Sequence, residues 1–231
     1  MGRDPWFDPD QPGVRPDVLR GGRVGGDRID TLERRRAFEA PLTIGVIADT
    51  HIYAHSNRVI PPPVLDLFQR AAVGLILHLG DVNSAWVLDE LGDLAPVLAV
   101  AGNNDDDELQ HRLPSSLRFT VGRHTFGALH GDGGRSAKDQ VKRSFGGKVD
   151  LAFFGHSHIP FLDEYKGTVL FNPGSATDRR WHEHFGVGIV KVSAETVDPE
   201  LILYTQPDHL TNIRFGSEGN SPQPIDERAG T

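Results

Sequence analysis

The 231-residue chain contains no cysteine, which excludes disulfides, thiolate metal sites and a cysteine nucleophile. Long apolar runs are missing as well. The two longest, around Val73 to Leu79 and Pro96 to Ala101, fall far short of the ~20 residues that span a bilayer. No hydrophobic segment follows Met1 in the manner of a secretory signal, so the expectation is a cytoplasmic protein with no membrane partner. Positive charge is also in deficit. A formal net charge of −8 offers no broad cationic face, which argues against a nucleic-acid polymer as partner. Attraction of a small anion is still compatible with that tally, because bound divalent ions would outweigh the carboxylates that hold them. No residue pattern sets an oligomeric state.

What is present has a clear organisation. Residues 1–40 are rich in Pro, Gly and Arg and read as a tail, with one short helix opening at Asp30-Thr31-Leu32-Glu33 and running to Glu39. Residues 207–231 are again polar and read as a second tail. Between them, 41–206 forms one α/β domain in which β-branched apolar runs alternate with amphipathic segments. Strands are expected at 42–48, 75–79, 97–101, 117–121, 125–129, 151–154, 168–171, 187–192 and 201–205. Helices are expected at 64–72, 86–94 and 136–145, the first opened by Pro61-Pro62-Pro63.

Five polar islands interrupt this rhythm: Asp49-Thr50-His51, Gly80-Asp81, Gly102-Asn103-Asn104-Asp105, His130-Gly131 and His156-Ser157-His158. Each follows directly on an apolar strand. In α/β sheets the carboxyl ends of strands open onto a shared crevice, so residues distant in sequence can meet there. Hard carboxylate and amide oxygens with imidazoles suit Mn, Fe, Zn, Co or Ni. Extended backbone points residues i and i+2 the same way, which makes Asp49 with His51, and His156 with His158, two-toothed clamps. Asp49, His51, Asp81, Asn103, His130, His156 and His158 are too many ligands for one ion with an open position. They suit two ions that share the two oxygens of Asp81, an arrangement that can hold both free oxygens of a phosphate. Imidazole ligands must be neutral, so a rate that falls as pH drops through about 6.5 is expected.

The islands resemble, in order, the DxH, GD, GN, HG and GHxH pattern of the calcineurin-like metallophosphoesterase superfamily. Asn172-Pro173-Gly174-Ser175-Ala176-Thr177 resembles the closing segment of its small prokaryotic phosphodiesterase branch, which also contains a retromer-type sorting subunit. The resemblance covers about residues 42 to 205. It implies a four-layer αββα sandwich of two mixed β-sheets flanked by helices, with two divalent metal ions, Mn2+ favoured. It also implies the split: Asp49, His51, Asp81 and His158 around one ion, and Asp81, Asn103, His130 and His156 around the other. The activity implied is hydrolysis of a small phosphate ester, a phosphodiester first, by a metal-bridging hydroxide, with Asp81, Asn103 and His130 catalytic. A non-catalytic scaffold of the same fold, a phosphomonoesterase and a nuclease are the alternatives.

Two departures from the family pattern refine this. Ser84 and Ala85 stand where protein phosphatases carry an acid and an arginine, which argues against that activity. Asn104 stands where many members have histidine, and an amide cannot act as general acid, a role typically contributing about 10²–10⁴-fold. Around the site, Asn104, Arg179, Arg180 and His182 are candidate substrate contacts, the arginines as forks for a phosphate. Asp105 reads either as an acceptor orienting a ligand histidine or as part of an acidic helix start. His55, His78, His111 and His124 follow no pattern and read as structural.

Overall fold

The computed structural model describes residues 36–206 and the short strands Ile213–Phe215 and Gln223–Pro224. Its strands and helices run in the order β1 (Ala37–Phe38), β2 (Leu42–Ile47), α1 (Pro62–Arg70), β3 (Leu75–His78), α2 (Ala85–Gly92), β4 (Val97–Ala99), α3 (Asp107–Arg112), β5 (Ser116–Val121) and β6 (His124–Leu129). There follow α4 (Ala137–Phe145), β7 (Leu151–Phe154), β8 (Phe161–Tyr165), β9 (Thr168–Asn172), β10 (Phe185–Val192), β11 (Val197–Tyr204), β12 (Ile213–Phe215) and β13 (Gln223–Pro224). One sheet has the order β1-β5-β6-β7-β9-β8 and the other β13-β12-β11-β10-β2-β3-β4. Both are mixed: β2, β3 and β4 run parallel, as do β6, β7 and β9, while their outer neighbours run antiparallel.

The period-two alternation of the strands generates the layers. Ile44, Val46, Leu75 and Leu77 on one sheet meet Leu117, Phe119, Phe126 and Phe153 on the other in a core between the sheets. The opposite faces of β2 and β3 carry Ile47 and Ile76, which pack with Val64 and Phe68 of α1 and Val87, Leu88 and Leu91 of α2. On the far side Ala152, Phe154 and Leu170 pack with Ala137, Val141 and Phe145 of α4. Three apolar seams therefore hold four layers, the expected αββα sandwich. Local signals open the helices: α1 has proline in its first turn, Asp106 accepts from Leu109 N at 2.9 Å, and Ser136 accepts from Asp139 N at 3.1 Å. No described helix is long and apolar enough to cross a membrane.

Several elements differ from the expectation. Ala37–Phe38, expected in a helix running to Glu39, is a strand pairing in parallel with Thr120–Val121. The helix start at Asp30 to Arg35 lies outside the described residues. Strand β8 was not anticipated, because its charged Asp163-Glu164 pair masks an edge strand with little burial. Beyond Gln206, where a coil-like tail was expected, β12 pairs with Leu201–Leu203 and β13 with β12. The rest of the 1–40 and 207–231 tails lies outside the described residues.

Candidate metal centre

Because the two sheets pack face to face, the carboxyl ends of β2, β3 and β4 meet those of β6, β7 and β9 along one edge. The bonds crossing that edge are specific. His130 Nδ1 donates to the Leu79 carbonyl at 2.7 Å, His156 N donates to both Asp49 carboxylate oxygens at 3.1 and 3.0 Å, and Ser175 Oγ donates to the Asp49 carbonyl at 2.6 Å. Asp49, His51, Asp81, His130 and His158 are all buried here.

Two tight groups of donor atoms result: Asp49, His51 and His158 in one, Asp49, Asp81 and His130 in the other, each with its atoms within 4.8 Å of one another. Asp81, in the second group, also reaches the first, with Oδ2 3.5 Å from His51 Nε2 and Oδ1 3.4 Å from His130 Nε2. Asp49 Oδ1 is 3.6 Å from His158 Nε2 and 4.0 Å from His130 Nδ1. The geometry thus offers two shared carboxylates where the sequence suggested Asp81 alone. Asn103 Oδ1 approaches His130 Nε2 at 3.2 Å. His156 is less buried and sits outside both tight groups, its ring edge-on to His130 at 5.1 Å.

The imidazoles are oriented from behind. His158 Nδ1 donates to the Asp178 carbonyl as His130 Nδ1 does to that of Leu79, which turns each Nε2 inward toward the carboxylates. His51 Nε2 and His158 Nε2 then lie 3.1 Å apart. Behind them His78, read as structural, is fully buried, and its Nε2 donates to Thr50 Oγ1, which donates on to the Asp81 carbonyl.

The clamps do not form in the expected way. Asp49, His51, His156 and His158 have φ of 50°, 46°, 67° and 57°, so left-handed turns, not extended alternation, aim these side chains. Asp81, Asn83 and Arg180 are also left-handed, leaving Ala72 and Lys166 as the other described non-glycine residues with positive φ. Such clustering of sparsely populated conformations is typical of functional sites. Close approach adds to it: a Cβ on Gly102 would lie 2.1 Å from Asp81 N, and one on Gly80 2.7 Å from His130 Nδ1.

Electrostatics fit a cation. Burial, reinforced by the charge of Asp81, pushes Asp49 up to about 7, despite the opposing His130 charge. Burial would raise Asp81 too, but the hydrogen bond and charge of His130, with hydrogen bonds from Asn104, hold it well below the usual carboxylate range. Burial acts to lower His130, yet its bond to Asp81 and the charges of Asp49 and Asp81 prevail and push it up to about 9. Burial lowers His51 and His156, and takes His158 down to about 4. Neutral imidazoles at His51, His156 and His158 beside two crowded carboxylates, with a His130 proton to displace, are a donor set that a divalent ion would satisfy.

The remaining candidates divide. Asn104 donates to Asp81 twice, from N to Oδ1 at 2.8 Å and from Nδ2 to Oδ2 at 2.7 Å. Arg180 is exposed, and its charge is felt at Asp49, His51, His156 and His158. Arg179 instead donates to the His182 carbonyl at 2.6 Å and lies over the Phe185 ring, while His182 Nδ1 accepts from His184 N. Asp105 orients no histidine; its carboxylate accepts from Asn83 N and Gly102 N, both at 2.8 Å, clasping the two loops that carry Asp81 and Asn103. Residue order did not disclose the supports from Asn172, Ser175 and Thr177, which bond to the carbonyls of Gly155, Asp49 and Thr50. Their only signal was the Asn-Pro-Gly-Ser-Ala-Thr segment.

An αββα sandwich with buried Asp and His converging at one sheet edge defines a metal-dependent phosphoesterase scaffold. Residues 42–195 match the calcineurin-like phosphoesterase superfamily domain, and the chain belongs to that family. A probable metallophosphoesterase of Methanocaldococcus jannaschii is 40% identical over 162 residues, covering 68% of this chain and 81% of that protein. A phosphodiesterase of the same organism is 24% identical over 58% of this chain and 83% of its own length. Among solved structures, Chaetomium thermophilum Vps29 is similar at 25% identity with a TM-score of 0.62, over 70% of this chain and 88% of that one.

Proposed function

We propose that the chain is a dinuclear metal-dependent phosphodiesterase acting on small phosphodiesters, with Mn2+ as the favoured ion. The observation that supports this most is the pair of tight donor groups joined through Asp49, with Asp81 set between His51 and His130. In this reading Asp49, His51, Asp81 and His158 hold one ion, and Asp81, Asn103, His130 and His156 the other. When bound, the ions supply positive charge for the phosphate oxygens and bring the ionisation of water close to neutral pH.

The chain's own contribution is orientation. Carbonyls fix His130 and His158 with Nε2 inward, and Asn104 fixes both oxygens of Asp81. Asn104 has no acidic proton for a leaving oxygen, so substrates with good leaving groups are favoured. Arg180 draws the anion to the mouth of the site, while Arg179 and His182 brace its loop. The relative named as a phosphodiesterase supports the diester preference.

The test strips the protein with chelator, resupplies Mn2+ and compares a chromogenic phosphodiester with a monoester. The expected result is metal-dependent diester hydrolysis that Asp81→Ala abolishes, with Asn104→His raising the relative rate on the monoester. The likeness in fold to Vps29 favours a second reading, a binding module without catalysis. Protein that retains metal but hydrolyses neither ester would select it.

A further inference from the structure

Among the described residues, six large hydrophobic side chains are strongly exposed: Tyr53, Val59, Trp86, Leu94, Ile159 and Trp181. Single exposed hydrophobics are ordinary, whereas a cluster beside polar groups marks a ligand surface. Four of the six belong to loops tied together at Asp178. His158 Nδ1 donates to its carbonyl, which anchors Ile159 next in the chain. Arg58 pairs with its carboxylate at 3.5 Å, which secures the loop bearing Tyr53 and Val59. Arg180 N donates to its Oδ1 at 3.3 Å, and Trp181 follows directly. The indole is 100% exposed, although His158 and His51 on the same knot of loops point into the metal centre.

We propose that Trp181 is a stacking platform for a flat aromatic group, an aryl ring or a nucleobase, carried by the phosphate ester. This inference rests on the phosphoesterase reading and narrows its substrate class. Any aromatic face can stack on an indole without base-specific hydrogen bonds. The neighbouring Arg180, whose charge reaches Asp49, His51 and His158, serves the phosphate end. Cation and aromatic surface are thus adjacent in the chain, as phosphate and ring are adjacent in such an ester. An alkyl diester would leave the indole in water.

Calorimetry on the Mn2+-loaded full chain, with adenosine monophosphate, phenyl phosphate and methyl phosphate as probes, tests this directly. Wild type is expected to bind one or both aromatic probes more tightly than methyl phosphate. Trp181→Ala should lower that aromatic-to-methyl affinity ratio roughly five- to a hundredfold, and Trp181→Phe should restore most of it. Preference for adenosine monophosphate alone identifies a nucleobase; preference shared with phenyl phosphate identifies a general aryl site. A ratio unchanged by Trp181→Ala, or no aromatic preference in wild type, overturns the proposal while leaving the phosphoesterase reading intact. If the loaded protein binds none of the three and hydrolyses no ester, both readings fall.

Discussion

Gly102→Ala should damage the site more than any other single methyl group added to its glycines. Gly102 does not have the positive φ that would forbid alanine, so backbone conformation is not the obstacle. On chain entropy alone, the substitution would stabilise the protein by about 0.4–1 kcal/mol. Sterics reverse that sign. The new Cβ would lie 2.1 Å from Asp81 N and 2.3 Å from Asp81 Oδ1, where ordinary contact is 3.4–4 Å. A main-chain nitrogen cannot swing aside as a side chain would, so the Asp81 loop must move bodily. The expected loss is about 1–3 kcal/mol from overpacking, with about 10–100-fold weaker metal binding as Asp81 is displaced. Gly92→Ala is the matched control: it is exposed in α2, its Cβ would meet nothing within 4 Å, and it should stabilise by about 0.5–1 kcal/mol. Urea denaturation of metal-free protein and metal content after loading read both effects. A Gly102→Ala protein as stable and as fully loaded as wild type would refute the packing argument.

The same site should release protons when it takes up metal. With His130 pushed up to about 9 and Asp49 to about 7, binding at pH 8 displaces chiefly the His130 proton, so apparent affinity rises with pH and levels off above about 9. That moves the threshold above the 6.5 of an ordinary histidine; calorimetric heats at pH 8 that ignore buffer ionisation enthalpy would contradict it. Ser175→Ala leaves the Asp49 carbonyl and the amides of Thr177 and Asp178 without their buried partner. A loss of about 1–3 kcal/mol is expected, measured as a lower denaturation midpoint, and an unchanged midpoint would count against it. Burial lowers His78 to about 3, below the unfolded value of about 6.5. Its neutral form therefore contributes stability above pH 6.5 that fades as pH falls toward 3, by at most about 1.4 kcal/mol per unit. His78→Gln should flatten that acid limb in metal-free protein, whereas parallel wild-type and variant curves would rule out His78 as its source.

The polar islands that converge on the candidate centre were legible because each follows an apolar strand whose composition declares it. Leu75 to His78 and Leu151 to Phe154 leave little choice of structure, and the polar residue after each falls at a sheet edge by topology. The layering came with the family resemblance, since alternation within a strand does not reveal which sheet it faces. Ala37–Phe38 was misread because two residues carry no period of their own, and pairing with β5 determines their conformation. The left-handed turns at Asp49, His51, His156 and His158 were invisible for a related reason. Alternation assumes an extended backbone, whereas here the amides of Asp49 and His51 bond to the carbonyls of Gly80 and Asp81 in the next loop, and that of His156 to the Asp49 carboxylate. Asp105 was open between a histidine acceptor and an acidic helix start; a helix does begin at Asp106 to Glu108, while the Asp105 carboxylate faces the amides of Asn83 and Gly102.

Those left-handed residues explain why the surroundings of the centre are so heavily bonded. Each strained conformation costs on the order of 1–3 kcal/mol. Asp49, His51, Asp81, Asn83, His156, His158 and Arg180 together are therefore comparable to the whole net stability of an ordinary domain, about 5–15 kcal/mol. The loops can hold them only if neighbouring groups favour that geometry, and the supports are in place: Ser175 and Thr177 on the first loop, Asn172 beneath Gly155, Asp105 across the second and third. All are bonds within the protein, anchored in turn to three apolar seams. The ligand directions are consequently set by the fold before any cation arrives, so binding energy is not consumed in ordering the loops. The same economy makes the centre intolerant of change at residues that never touch the ion.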